Sequence, residues 1–192
     1  MSSTREGEVE MFVAGLVLDP ASNAPIVILK ASDGDTCLPI WIGLAEATAI
    51  ASALKKVEVS RPMTHDLLRD IVEQLGGRVV KVAVTALRES TFLASIEVLV
   101  GEALRLIDAR PSDAIALAVR TNAPIYVAAE VLSHAQVTLV TVNQQSGSHE
   151  VEFRPVDGTD EEGQTRNFAT IEKEKWAEIL SEMDPDDFKY KM

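Results

Sequence analysis

Alternating apolar and polar positions, interrupted by turn residues, predict strands over much of the chain. Two other segments, near Leu44–Leu54 and Ser112–Arg120, carry Ala, Ile, Leu, Val, Ser and Thr on nearly every side. A helix that is apolar all round is typically buried on more than one face. The sequence therefore predicts two buried helices among strands. The predicted strands are Glu10–Leu18, Pro25–Lys30, Cys37–Ile42, Arg78–Leu87, Thr91–Val100 and Ala103–Asp108.

A third helix, Thr64–Leu75, has a different pattern. Thr64 is a plausible N-cap, and Gly76-Gly77 is a plausible stop. We expect a stripe of apolar residues along one face and polar residues facing outward on the other. The stripe is Leu67, Leu68, Ile71, Val72 and Leu75, and the outward residues are Arg69, Asp70 and Glu73.

The chain contains an internal repeat. Without gaps, residues 11–54 align with residues 78–121, and each half has the order strand, strand, strand, helix. The strands meet through hairpin turns rather than crossovers, which argues against a doubly wound parallel sheet. We therefore predict an α+β fold in which buried helices are sandwiched between sheet layers.

The chain is predicted to consist of a main domain, residues 9–142, which contains the repeat, and an acidic C-terminal extension, residues 143–192. Residues 124–132 are expected to continue the core. A hairpin is predicted where the two regions meet, and an acidic linker and a short helix are predicted beyond it. These elements are Val137–Val142 with Glu150–Val156, Asp157–Gln164 and Lys173–Met183.

Composition narrows the class of protein. The 192 residues are 46% hydrophobic, which is enough for one core, and no apolar run approaches the length of a membrane span. The polar N-terminus does not resemble a signal peptide. Cys37 is the single cysteine, so an internal disulfide and a thiolate zinc site are excluded. A reducing, cytoplasmic setting fits this pattern.

The net charge of −12 argues against a broad basic surface for nucleic acid. The acidity is uneven, however, because residues 129–192 hold 6 Lys and Arg against 14 Asp and Glu. Residues 55–88 hold seven basic residues against four acidic ones. The charge therefore weakens a nucleic-acid function without excluding it.

Two polar motifs are candidate sites. In residues 61–66 and 108–113, Arg-Pro precedes the first turn of a helix, where free backbone N–H groups and the helix dipole favour an anion. Phosphate is the natural candidate. We assign Arg61, Arg110 and Ser112 to substrate binding.

The same motifs carry groups that suit catalysis. His65 lies in a first helical turn, where the dipole favours neutral imidazole, so it can act as a general base or metal ligand. Asp66, Asp108 and Asp113 could hold Mg²⁺ or Mn²⁺ through oxygen ligands. His65, Asp108 and Asp113 are therefore the candidate catalytic residues for metal-assisted phosphodiester hydrolysis.

Each residue also has a simpler interpretation. Ser112 and Asp113 could cap a helix, Arg110 could tie a loop together through Asp108 or Asp113, and His65 could be structural. Glu46, which the repeat aligns with Asp113, is expected to be a charge near a helix start. The sequence has no P-loop, HExxH or GxSxG motif. The residues alone thus indicate an anion-binding cleft.

Three blocks resemble the bifunctional nuclease (BFN-type) domain family over about Val9–Val142. They are Leu38-Pro-Ile-Trp-Ile-Gly with Glu46-Ala, Arg61-Pro-Met-Thr-His-Asp-Leu, and Asp108-Ala-Arg-Pro-Ser-Asp-Ala-Ile-Ala-Leu-Ala. The chain's ending also resembles bacterial members. This resemblance implies a duplicated β3-α unit in a β/α/β arrangement, dimers or higher homo-oligomers, and hydrolysis of both DNA and RNA.

Two hypotheses follow. The first is a metal-assisted nuclease of low sequence specificity, in which Arg61 and Arg110 bind phosphate. The second is a non-catalytic oligomeric module that binds a small anionic ligand or a protein partner. The two Arg-Pro helix starts, the local basic bias and the family resemblance support the first hypothesis. The net charge, the 5% aromatic content and the lack of a complete catalytic motif support the second. We predict the nuclease, with the binding module as the alternative.

Overall fold

The computed structural model describes residues 7–19, 22–32, 34–135, 137–142, 150–155 and 166–170. These residues form ten strands and four helices. The predicted linker Asp157–Gln164 and helix Lys173–Met183 lie outside them. In chain order the elements are β1 (Glu8–Leu18), β2 (Pro25–Ala31), β3 (Thr36–Trp41), α1 (Leu44–Leu54), α2 (Thr64–Gln74), β4 (Gly77–Arg88), β5 (Thr91–Val100), β6 (Ala103–Ala109), α3 (Pro111–Thr121), β7 (Ile125–Ala128), α4 (Ala129–Ala135), β8 (Val137–Val142), β9 (Glu150–Pro155) and β10 (Arg166–Thr170).

The strands form one hydrogen-bonded sheet in the order β10-β9-β8-β3-β2-β1-β7-β4-β5-β6. Within it, β1-β2-β3 and β4-β5-β6 are antiparallel hairpin series. Strand β7 lies between them, antiparallel to β1 and parallel to β4. The predicted α+β class is confirmed. The predicted C-terminal hairpin is also confirmed, because β8 and β9 pair antiparallel.

Helices α1 and α3 are buried, as predicted. In α1 the six residues from Ala47 to Ser52 are all buried, and in α3 so are the five from Ala114 to Ala118. Consecutive buried residues point in every direction around a helix, so each helix is covered on more than one side. Both helices are 11 residues long, and they begin 67 residues apart. The duplicated three-dimensional unit stays a prediction.

Helix α2 differs from its prediction. None of its residues is buried, and the side of the apolar stripe is open: Leu67 is 52% exposed and Leu75 is 75% exposed. Arg69 and Asp70, expected to face outward, instead form an ion pair and are less exposed than Leu67. The amphipathic pattern correctly predicted the helix but not the side of it that packs. Helix α2 packs on α3 and β4 through a narrow contact that includes Val72.

The ends of α2 match the prediction only in part. Thr64 was expected as the N-cap, but the N-cap is Met63, whose backbone N–H donates to Oδ2 of Asp66 at 3.1 Å. At the other end the predicted glycine stop is confirmed, since Gly76 has φ +75°. The next residue, Gly77, is closely packed, because a Cβ there would lie 3.0 Å from the Val72 carbonyl oxygen.

A buried ion-pair network ties β1 to the second hairpin series. Lys81 on β4 is 7% exposed, and its ammonium donates to both carboxylate oxygens of Glu8 at 2.8 and 2.7 Å. Glu97 on β5 lies 3.3 Å from the same nitrogen. The ammonium also lies 5.1 Å from the ring centroid of Tyr126. The buried ammonium is thus compensated by carboxylates from two strands and by one aromatic ring from a third.

Candidate functional site

The starts of the three long helices converge on Arg110. This residue is the N-cap of α3, with extended backbone (ψ 146°) ahead of Pro111, as the proline ring requires. Its Nε donates to Oδ2 of Asp113 at 2.8 Å, and its Nη2 donates to Oδ1 at 3.3 Å. Its Nη1 donates to Oε1 of Glu46, in the first turn of α1, at 3.0 Å. The guanidinium therefore bridges two carboxylates from two helices.

His65 completes this cluster from the first turn of α2. Its Nε2 lies 3.2 Å from Oδ1 of Asp113, and its side chain is only 14% exposed. The Arg110 side chain, in contrast, is 66% exposed. We call Glu46, His65, Arg110 and Asp113 the helix-start cluster. It presents one accessible cation beside a sheltered imidazole–carboxylate pair.

The cluster keeps Asp113 ionised. Burial alone would raise the pKa of its carboxyl, but hydrogen bonds from Arg110 and His65 outweigh burial and hold that pKa below its ordinary value. The pKa of Arg110 is correspondingly raised, chiefly by its hydrogen bond to Asp113. Asp113 is therefore an acceptor and a negative charge at neutral pH, and it cannot serve there as a general acid.

Sequence reasoning underrated Glu46. It is a charge in the first turn of α1, as predicted, but it also holds Arg110 across the α1–α3 contact, which was not predicted. The available signal was the repeat, which aligns Glu46 with Asp113. The position also depends on Gly43, because a Cβ there would overlap the Glu46 carboxylate. The two repeat-related acids thus hold the same guanidinium from opposite sides.

Asp66 belongs to a separate ion pair. Its Oδ1 accepts from Nε of Arg120, whose side chain is 4% exposed. Nη1 of Arg120 also donates to the carbonyl oxygens of Ala49 and Ala116 at 2.8 and 3.0 Å. Arg120 was absent from the sequence candidates, because nothing in its local motif marks it. Asp66 thereby ties the start of α2 to the end of α3.

The remaining sequence candidates lie apart from the cluster. Asp108 is exposed near the end of β6, opposite Ser95, and Arg61 is exposed in the loop before α2. Neither has a side-chain hydrogen bond or ion pair to another described residue. Ser112 is 6% exposed in the first turn of α3. The structure therefore brings together three of the proposed residues, His65, Arg110 and Asp113.

The capping interpretation of Ser112 and Asp113 is wrong. The N-cap of α3 is Arg110, and no side chain caps it. Asp113 instead accepts from Arg110, so that loop-tying pair is confirmed with Asp113 rather than Asp108.

The predicted aspartate ligands for a divalent cation do not form a metal site in this structure. Among the residues that the structure describes, no three His, Cys, Asp or Glu side chains are arranged to hold a metal ion. In the cluster the guanidinium of Arg110 occupies the position between Glu46 and Asp113 that a cation would take. Asp66 pairs with Arg120. The predicted set Asp66, Asp108 and Asp113 does not converge.

These features define an α+β protein with a charged cluster where three helices begin. The chain belongs to the bifunctional nuclease domain family, whose model matches residues 27–140. The resemblance inferred from the three sequence blocks is confirmed.

Relatives support the same family. The chain is 38% identical to an uncharacterized protein of Mycobacterium tuberculosis over 180 residues, which is 94% of this chain and 98% of that protein. It is 33% identical to Bifunctional nuclease 1 of Arabidopsis thaliana and 30% identical to Bifunctional nuclease 2 of Oryza sativa subsp. japonica, each over 107 residues. Each plant alignment covers 54% of this chain and 33% of the plant protein.

No helix in the described part of the chain is long and apolar enough to span a membrane.

Proposed function

We propose that this protein is a nuclease that hydrolyses DNA and RNA phosphodiesters with low sequence specificity, with assistance from Mg²⁺ or Mn²⁺. The observation that carries the proposal is the helix-start cluster, in which an exposed Arg110 adjoins a sheltered His65–Asp113 pair. Family membership and the plant relatives named bifunctional nucleases support the same reaction.

Each cluster residue has a role in this reaction. With Nε2 of His65 facing Asp113, the free ring nitrogen is Nδ1, which accepts a proton from the attacking water. Ionised Asp113 fixes the ring and stabilises the imidazolium that results, as the carboxylate does in a Ser-His-Asp triad. Arg110 binds a non-bridging phosphate oxygen and stabilises the charge that develops on it. Water attacks phosphorus and the bond to the leaving oxygen breaks. The leaving oxygen takes a proton from solvent, and His65 then releases its own proton to solvent.

The divalent ion has no step in this scheme, because Arg110 lies between the two carboxylates of the cluster. When bound, Mg²⁺ or Mn²⁺ would supply further charge stabilisation at the phosphate. Glu46 and Asp113 are the carboxylates that would become available if Arg110 turned to substrate. Chelation tests this part separately.

The experiment is cleavage of labelled single-stranded DNA, duplex DNA and RNA in Mg²⁺, Mn²⁺ or EDTA. The wild type is compared with Asp113→Asn and His65→Ala, and Asp108→Asn is the matched control. Asp108 lies in the same sequence motif but outside the cluster. We expect cleavage by the wild type and Asp108→Asn, and none by folded Asp113→Asn or His65→Ala.

Other results would contradict the proposal. Cleavage that persists in Asp113→Asn and His65→Ala would exclude the helix-start cluster as its source. No cleavage by folded wild type would favour the alternative, a binding module for a small anion or a protein. Full activity in EDTA would contradict only the part of the proposal that involves Mg²⁺ or Mn²⁺.

The proposal includes a homo-oligomer, and strand β6 supplies the surface. It is the last strand of the sheet, six of its seven residues are exposed, and Leu106 is 71% exposed. An open apolar edge invites a second strand. Antiparallel pairing with a second copy about a two-fold axis at Leu106 places this apolar side chain opposite its own symmetry mate.

Light scattering on Leu106→Lys tests this interface. The substitution places like charges near the two-fold axis, and it costs the monomer little because Leu106 is exposed. Leu75→Lys on α2, where Leu75 is 75% exposed, is the control. A dimer or larger assembly that Leu106→Lys dissociates and Leu75→Lys does not would support β6 pairing, whereas a monomeric wild type would contradict it.

A further inference from the structure

Two adjoining cavities follow helix α2 beyond the helix-start cluster. The first has a volume of about 300 Å³ and lies between the ends of α1 and α3 and the start of α2. The second, of about 220 Å³, lies between the later turns of α2, the start of β4 and the loop after α3. Arg69 and Asn122 line both cavities, which therefore adjoin each other and are together called the α2 groove here.

The groove is basic in an acidic protein. Four cationic side chains line it, against two carboxylates, whereas the whole chain has a net charge of −12. A concave surface of one sign concentrates ligands of the opposite sign. The cations are Lys56, Arg69, Arg78 and Arg120, and the carboxylates are Asp66 and Glu73.

Three of the cations have donors to spare. Arg120 uses all three of its nitrogens on Asp66, two backbone carbonyls and Ser52, so it forms part of the wall. Arg69 uses only Nε and Nη2 for its bonds to Asp70, which leaves Nη1. Lys56 and Arg78 are exposed and make no side-chain hydrogen bond or ion pair to another described residue.

The distribution of these donors indicates the shape of the ligand. Lys56 lines only the first cavity, Arg78 lines only the second, and Arg69 lies where the two meet. A small anion needs donors that converge on one point, whereas spaced cations along an open groove match an extended polyanion.

The groove also adjoins the cluster. Consecutive residues in the first turn of α2 face the two sites: His65 contacts Asp113, and Asp66 lines the groove. A strand in the groove would therefore pass beside the helix start that carries His65. We infer that the α2 groove binds the phosphodiester backbone of the nucleic acid strand, with Lys56, Arg69 and Arg78 on successive phosphates. This inference rests on the proposed nuclease function.

Fluorescence anisotropy with a labelled single-stranded 20-mer in EDTA tests the inference. The groove variant is Lys56→Gln/Arg78→Gln, and the control is Lys30→Gln/Arg88→Gln, which removes the same charge outside the groove. Losing two contacts to a single strand should reduce the slope of log K against log salt by about 1.4 and weaken binding about 25-fold at 0.1 M salt. The control should stay within about twofold of wild type. The melting temperature confirms that each variant is folded.

The outcomes separate the two proposals. If the wild type cleaves, and the groove variant binds and cleaves as well as the control, the groove inference is wrong and the proposed nuclease function is retained. If binding depends on the groove but neither the wild type nor any variant cleaves, nucleic acid binding in the groove is supported and the proposed nuclease function is contradicted. A raised KM with unchanged kcat in the groove variant supports both, because uniform binding has been lost.

Discussion

Nε2 of His65 lies 3.2 Å from Oδ1 of Asp113, although 48 residues separate them in the chain. The contact exists because α2 crosses α3, so that the first turns of the two helices meet. It fixes which ring nitrogen of His65 is free, since the other faces a carboxylate that stays ionised.

Asp113→Asn should therefore reduce cleavage by about 10²- to 10⁴-fold, the range that one general base contributes. An amide can orient the ring in the wrong tautomer and cannot stabilise imidazolium. Since the Asp113 side chain is one-third exposed, the melting temperature of the Asp113→Asn variant should fall by less than about 3 °C. Single-turnover cleavage and calorimetry measure both. If activity and stability fall together, Asp113 is structural.

The depressed pKa of Asp113 predicts how stability responds to acid. A carboxyl whose pKa is lower in the folded state stabilises that state above its unfolded pKa, which is about 3.9. This contribution is lost as the pH falls through the folded pKa. The melting temperature of the wild type should therefore exceed that of Asp113→Asn at about pH 5, and the gap should close as the pH falls below about 4. A gap that widens in acid would contradict the sign of the shift.

Arg110 and Arg61 form a matched pair for testing phosphate contact. Both precede a proline near a helix start, but only Arg110 is held beside His65 and Asp113. Arg110→Gln should lower kcat/KM by about 10²-fold or more, while Arg61→Gln should change it less than about threefold. Steady-state kinetics on one oligonucleotide decide this. Equal losses in the two variants would place Arg61 in the site as well.

The sequence predicted the elements well because their signals are local. Alternation located the strands, and uninterrupted apolar composition identified α1 and α3 as buried, since both follow directly from side-chain chemistry. The order of β7 between β1 and β4 was not predictable, because strand pairing depends on contacts between distant residues. The open stripe of α2 was missed for the same reason.

The candidate site shows the same division. His65, Arg110 and Asp113 could be chosen from their motifs, because Arg-Pro before a helix and a His in a first turn are local features. Glu46 required the distant contact between α1 and α3, and Asp108 was overrated because its motif says nothing about the direction of its side chain.

Gly43→Ala tests the support of Arg110 by Glu46. A Cβ would overlap the Glu46 carboxylate, and the flexible end of that side chain can move away. We expect activity to fall several-fold with little change in melting temperature, because Arg110 loses one of its two anchors. Glu46→Gln should reproduce the loss. If Gly43→Ala is inactive while Glu46→Gln is fully active, the glycine acts through the backbone instead.

Lys81→Met should be severely destabilising, because it leaves Glu8 and Glu97 facing each other without their shared cation. Breaking a buried ion pair costs about 3–5 kcal/mol. Lys30→Met is the matched control: its partner Asp35 is 79% exposed, so a loss within about 1 kcal/mol is expected. Urea unfolding at neutral pH measures both variants. The triple variant Lys81→Met/Glu8→Gln/Glu97→Gln removes both carboxylate charges and should recover part of the loss. If it is no more stable than Lys81→Met, the cost lies in packing rather than in repulsion between the two carboxylates, and the ammonium does not hold β1 to the second hairpin series electrostatically.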